Sequence, residues 1–170
     1  MTPPEFSRSL RVDRVPRGGS FEKLAADPAE CAAMAARLGV VALHALTAGL
    51  KATPWRGGGL KVEGELMADL EQVSVVSLEA FRSEVRFNVL RYFMPADRLT
   101  GEDGEAEIDA IVGGEVDLGE VVAETLALEL DPYPRRPGEE FSPAQPEVSS
   151  EVSEKPSPFA ALQKLKGGPT

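Results

Sequence analysis

Few side chains in this sequence are spaced for chemistry. Glu63 and Glu65 lie two apart, so in an extended chain both carboxylates share one side. A carboxylate pair does acid–base work when a pocket drives its two pKa values apart. Here Lys61, Glu63, Glu65 and Asp69 also read as the wet face of a strand, which needs no site. His44 is the only histidine and Cys31 the only cysteine. That excludes a multi-histidine metal site, an intramolecular disulfide and a cysteine cluster. Cys31 reads as a small core residue and His44 as a packed or surface imidazole. Gly57, Gly58 and Gly59 lack the Lys-Ser/Thr of a phosphate loop, and no dinucleotide fingerprint, nucleophile elbow or HExxH occurs. Arg82, Arg86 and Arg91 are the basic cluster of the sheet region, and Arg135 and Arg136 follow later. These five are candidate RNA contacts, although solvated or salt-bridged arginines fit the same pattern. The expectation is a non-enzyme with no catalytic residue, no metal ligand and no cofactor.

The elements around these residues are marked by periodicity. In residues 60–70, Leu60, Val62, Gly64, Leu66, Ala68 and Leu70 point one way and charged residues the other. In residues 85–93, Val85, Phe87, Val89 and Phe93 alternate with polar positions. Two half-buried strands with one wet face imply an antiparallel sheet. Residues 71–83 extend both strands around a bend near 77–80. Residues 40–51 read as a further strand, 54–59 as a turn containing Trp55, and 6–15 as an N-terminal strand ended by Pro16 and Gly18-Gly19.

A helix is expected after Asp27, with Pro28 in its first turn, Glu30 closing a capping box and Gly39 as its stop. Cys31, Met34, Ala35 and Leu38 form its apolar face. Residues 95–107 read as an acidic connection and 108–112 as a short strand. Residues 114–137 hold a second helix with Asp117 as N-cap and Glu120 closing a capping box. Leu118, Val121, Val122, Thr125 and Leu126 make its face, Leu128 and Leu130 widen it, and Asp131-Pro132 stops it.

At 170 residues the chain supports one core. Residues 1–131 read as a single α+β domain, a mainly antiparallel sheet, open or barrel-like, with about two helices. Residues 132–170 read as a largely disordered Pro/Ser/Glu-rich tail. Within it, 156–166 form a short amphipathic docking motif. Pro158 opens it, Phe159, Leu162 and Leu165 repeat every third residue, and Lys164 and Lys166 suit a helix C-terminus. The motif packs on its own domain or in a partner groove.

The formal charge is −10. It argues against broad nucleic-acid binding and is satisfied either by solvation or by a basic protein partner. No apolar run reaches the ~18 residues of a membrane span, and the N-terminus has no apolar signal region. A cytoplasmic monomer without membrane contact is the simplest expectation.

Three blocks, in order, resemble the bacterial YceD family, the large ribosomal RNA subunit accumulation proteins. They are GELMADLEQVSVVSLEAF at 64–81, GEVDLGEVVAETLALELDPYPRRPG at 114–138 and KPSPFAALQKLK at 155–166. The family often carries Cys-x-x-Cys in the first block. Ser74 and Ser77 hold those positions here, and hydroxyls do not replace thiolates as structural zinc ligands. The resemblance implies a role in accumulation or assembly of the large subunit, with large-subunit rRNA, a ribosomal protein or an assembly factor as partner. The rival expectation is a barrel-like domain enclosing a small apolar ligand.

Overall fold

The computed structural model describes residues 5–99 and 108–140. The strand evidence from alternation leads into a five-stranded sheet. Its strands are β2 (Ser20–Ala25), β3 (Ala42–Trp55), β4 (Gly59–Val73), β5 (Ala80–Pro95) and β6 (Ile108–Ile111), side by side in that order. β2 to β5 are antiparallel neighbours, whereas β6 runs parallel to β5. A two-stranded ladder joins β1 (Ser9–Arg11) to β7 (Glu115–Asp117). Two helices complete the fold, α1 (Pro28–Leu38) and α2 (Leu118–Glu129). The architecture is α+β and mainly antiparallel, as the alternating segments imply, and the sheet stays open.

Both helices serve one face of the sheet. Leu46, Leu50, Leu60, Val62, Leu66 and Leu70 from β3 and β4 join Met34 of α1 and Leu118, Val122 and Leu126 of α2 in one buried cluster. These positions alternate along each strand, so the opposite face is left wet. That face carries Lys51, Lys61, Glu63, Glu65, Asp69, Arg82, Glu84 and Arg86, all exposed or half-buried.

α1 forms as its punctuation dictates. Asp27 accepts from the backbone N–H groups of Ala29 and Glu30, and Glu30 reaches back to the Asp27 N–H. Gly39 closes the helix in the left-handed region, at φ 67°. Glu30 also binds Arg8 at 2.7 Å, tying the N-terminal segment to the helix. Asp117 caps α2 by accepting from Gly119 and Glu120, and its carboxylate also accepts from Arg8 N–H and Ser7 Oγ. Glu120 does not close a box: its carboxylate is drawn to Arg37 at 2.9 Å. Gly119 is required by proximity, because a Cβ there would lie 2.5 Å from the Phe6 carbonyl oxygen.

The structure departs from the sequence expectations at several places. The N-terminal strand shrinks to β1, since residues 12–14 turn in a 3-10 helix. β2 occupies a stretch not expected to be a strand. Only Leu24 of its six residues is buried, so it has almost no alternation signal. Leu128 does not widen the α2 face but is 77% exposed. It lies two residues beyond Leu126, about 200° around the helix. The described part of the acidic connection includes a 3-10 turn at Ala96–Arg98. Among the described residues no helix is long and apolar enough to cross a membrane.

Candidate functional site

The candidate RNA-contact arginines fall in three separate places. Arg82 and Arg86 stand on the open face of β5, where the pleat directs even-numbered residues outward. Arg82 lies opposite Glu71 in register and makes a two-point contact with Asp69, at 2.7 and 2.5 Å. That hydrogen bond holds the Asp69 carboxyl below its usual range and raises the Arg82 guanidinium. Arg86 pairs with Glu84 at 3.0 Å. Arg91 points to the helix face, between Asp109 at 2.8 Å and Glu124 at 3.1 Å. Arg135 is exposed beyond α2, and Arg136 contacts Glu79 at 3.2 Å. The paired-carboxylate candidate resolves in the same way: Glu63 binds Lys61 at 2.6 Å, which lowers its pKa, while Glu65 is exposed on the same face. His44 stands 3.6 Å from Glu71 on the surface, and Cys31 is buried, its thiol pushed up by desolvation. Of the open-face pairs Lys61–Glu63, Arg82–Asp69 and Arg86–Glu84, only Arg82–Asp69 joins two strands. Exposed pairs of this kind add little stability while leaving little uncompensated positive charge for phosphate.

A second constellation forms where β4 turns into β5. Ser74 is fully buried, and its hydroxyl accepts from the N–H groups of Val76 and Ser77 while donating to Glu139. The Glu139 pKa is lowered, first by the Ser74 hydroxyl and next by that of Ser77. Val75 N–H bonds the Pro134 carbonyl at 2.9 Å, and Arg136 bonds the Ala80 carbonyl at 3.2 Å. Residues 132–140 thus clasp the turn at 74–79. The serines at the Cys-x-x-Cys positions are brought together, but on a carboxylate. Two hydroxyls and one carboxylate do not fit a structural zinc, which takes thiolate and imidazole.

The opposite end of the sheet holds a cleft that sequence reasoning did not assemble. Its volume is about 860 Å³, and Val12, Val15, Trp55, Pro95 and Ile111 line it. Arg11 and Arg17 stand at its rim, together with Asp13 and Asp97. The Arg56 guanidinium lies 4.5 Å from the centre of the Trp55 ring, which meets Tyr92 at 4.9 Å. The signal available in sequence was Trp55 next to Arg56 in a Gly-rich turn. What gathers the rest is topology, since the loops after β1, β3, β5 and β6 all reach this end. The docking-motif residues Pro158, Phe159, Leu162, Lys164, Leu165 and Lys166 lie outside the described residues.

The fold therefore defines a class: an open-faced α+β domain with a mainly antiparallel sheet. The chain belongs to the family described as large ribosomal RNA subunit accumulation protein YceD, whose model matches residues 62–166. The match begins in β4 and runs past the clasp, leaving β1, β2, α1 and β3 outside it. No curated protein and no solved structure matches the chain. The family description indicates a role in accumulation of the large ribosomal RNA.

Proposed function

We propose that the chain is a non-enzymatic adaptor supporting accumulation or assembly of large-subunit ribosomal RNA, with a protein as its first contact. The observation that carries this reading is the family match over 62–166, combined with arginines that already hold carboxylate partners. A body of net charge −10 repels polyphosphate and attracts basic ribosomal proteins or assembly factors. The segment 156–166 adds a second contact at the end of a Pro/Ser/Glu-rich tether. The setting is the cytoplasm, and the working unit a monomer. The test is affinity capture of the tagged chain with and without ribonuclease. Capture of large-subunit proteins that survives ribonuclease supports the reading; capture of rRNA alone, lost on digestion, overturns it.

A second reading, direct RNA contact, is favoured by one observation, the Arg56–Trp55 stack beside the cleft. Aromatic and guanidinium planes accept unstacked bases without sequence preference. It predicts RNA affinity that falls steeply with salt and is reduced by Trp55→Ala. Binding that ignores both salt and this substitution counts against it. The enclosed-ligand alternative would need a closed apolar cavity. Here the sheet is open and its helix face is filled by side chains such as Leu50, Leu60 and Leu66, each 0% exposed.

A further inference from the structure

The turn at 74–79 is built against local preference. Leu78 has φ 59°, the only non-glycine residue with positive φ among the described residues, and its side chain is 78% exposed. A branched apolar residue is disfavoured both in the left-handed region and in water. The turn is nevertheless held from several sides. Leu78 N–H bonds the Ser74 carbonyl and Ser74 N–H bonds that of Glu79, both at 2.9 Å, while the Ser74 hydroxyl accepts from Ser77 N–H and donates to Glu139. Strain that persists because its surroundings over-determine it points to a use.

Leu78 is one of several apolar side chains exposed at this end. Val41, Val73 and Val75 are also exposed, as is Tyr133. Beside them runs a groove of about 470 Å³, lined by Val41, Val73, Val75, Leu130, Pro132 and Pro134. The charge around it is mainly negative. The groove's charged lining is Asp131 and Arg37, and Arg37 is already held by Glu5 and Glu120. Next to the turn and groove residues in sequence, Glu79, Glu129 and Glu140 are exposed, with Arg135 exposed and Arg136 paired with Glu79. An apolar knob and groove with these acidic residues close by in sequence complement a cationic segment that carries apolar side chains, and they repel a phosphate backbone.

We propose that the clasped turn, with Leu78 at its apex and the groove beside it, is the docking surface for a basic protein segment of the large ribosomal subunit. The assignment of that partner rests on the adaptor reading above. The clasp fixes the turn before the partner arrives, so that Leu78 and Val75 are presented without an ordering cost at binding.

Leu78→Gly separates presentation from folding. Glycine adopts positive φ without a Cβ clash, so the variant keeps or raises the melting temperature while the knob is lost. The full chain is titrated against purified large-subunit ribosomal proteins, one at a time, by calorimetry at low and moderate salt. The expected result is that at least one binds, less tightly as salt rises, and that Leu78→Gly and Val75→Ser each weaken it about tenfold at unchanged fold, the size of a modest hot spot. If a ribosomal protein binds and both variants bind equally well, the surface is wrong and the adaptor reading stands. If none binds, while RNA from the same subunits does, both fall. If truncation after Glu140 raises the affinity of the wild-type surface but not of Leu78→Gly, the same surface is confirmed with the tail as its competitor.

Discussion

Glu139 ties the turn at 74–79 to the segment after α2 through Ser74 and the Arg136 N–H. Its pKa is lowered first by the Ser74 and Ser77 hydrogen bonds, then by Arg136. A carboxyl with a folded pKa below its unfolded value stabilises the fold above the unfolded value, near 4.3. That contribution is lost as pH falls through the folded pKa. Glu139→Gln should therefore lower the melting temperature at pH 7 and converge with wild type in acid. A difference that persists at pH 2–3 would show that the carboxylate's charge is not what the serines hold. Glu30, lowered chiefly by Arg8, acts with the same sign, and its partner Asp27 is tested by its cap. Asp27→Ala should cost about 1 kcal/mol in a denaturant melt. The Arg82→Ala, Arg86→Ala double variant should leave the melting temperature nearly unchanged, since both pairs are exposed. On the protein-contact account it should leave partner binding unchanged; a large loss of RNA-dependent activity would move the weight to the open face.

Among the elements, α1 and the β3–β5 strands could be read from sequence because each is specified by neighbours in the chain. Asp27, Pro28, Glu30 and Gly39 mark both ends of α1, and the β4 pattern runs unbroken from Leu60 to Leu70. β2 could not be read that way. As an edge strand it is held by pairing with β3, and Phe21, Lys23 and Ala25 face water. The parallel β5–β6 pair and the β1–β7 ladder are likewise settled by distant contacts. The same holds at the candidate site. Ser74 and Ser77 were identifiable by position, but Glu139 lies 65 residues from Ser74, inside a stretch whose composition reads as tail. The sequence places a bend near 77–80, but only the closed hydrogen-bond ring around Ser74 shows that the turn starts at Ser74 and exposes its apolar residues. At α2, Gly119→Ala should destabilise by about 1–3 kcal/mol, because the new methyl meets the Phe6 backbone rather than a side chain that can swing away. Unchanged stability would mean that the N-terminal segment can lift off α2.

The molecule as a whole separates its surfaces by charge and chemistry. The open sheet face is a lattice of paired charges, the Trp55 end is mixed and aromatic, and the clasped end is apolar with exposed Glu79, Glu129, Asp131 and Glu140 close by in sequence. This division favours protein over RNA as the partner of the clasped end. For the motif at 156–166, Phe159→Ala with Leu162→Ala should leave the melting temperature unchanged and impair function; a clear fall would mean that the segment packs on the chain itself. The central claim is that the chain supports accumulation of the large ribosomal RNA through the clasped turn. The most direct measurement is the ratio of mature large- to small-subunit rRNA in cells lacking the protein, complemented with wild type or with Leu78→Gly. A ratio that falls on deletion, recovers with wild type and stays low with stably expressed Leu78→Gly is the predicted result. A ratio unchanged by deletion would contradict it.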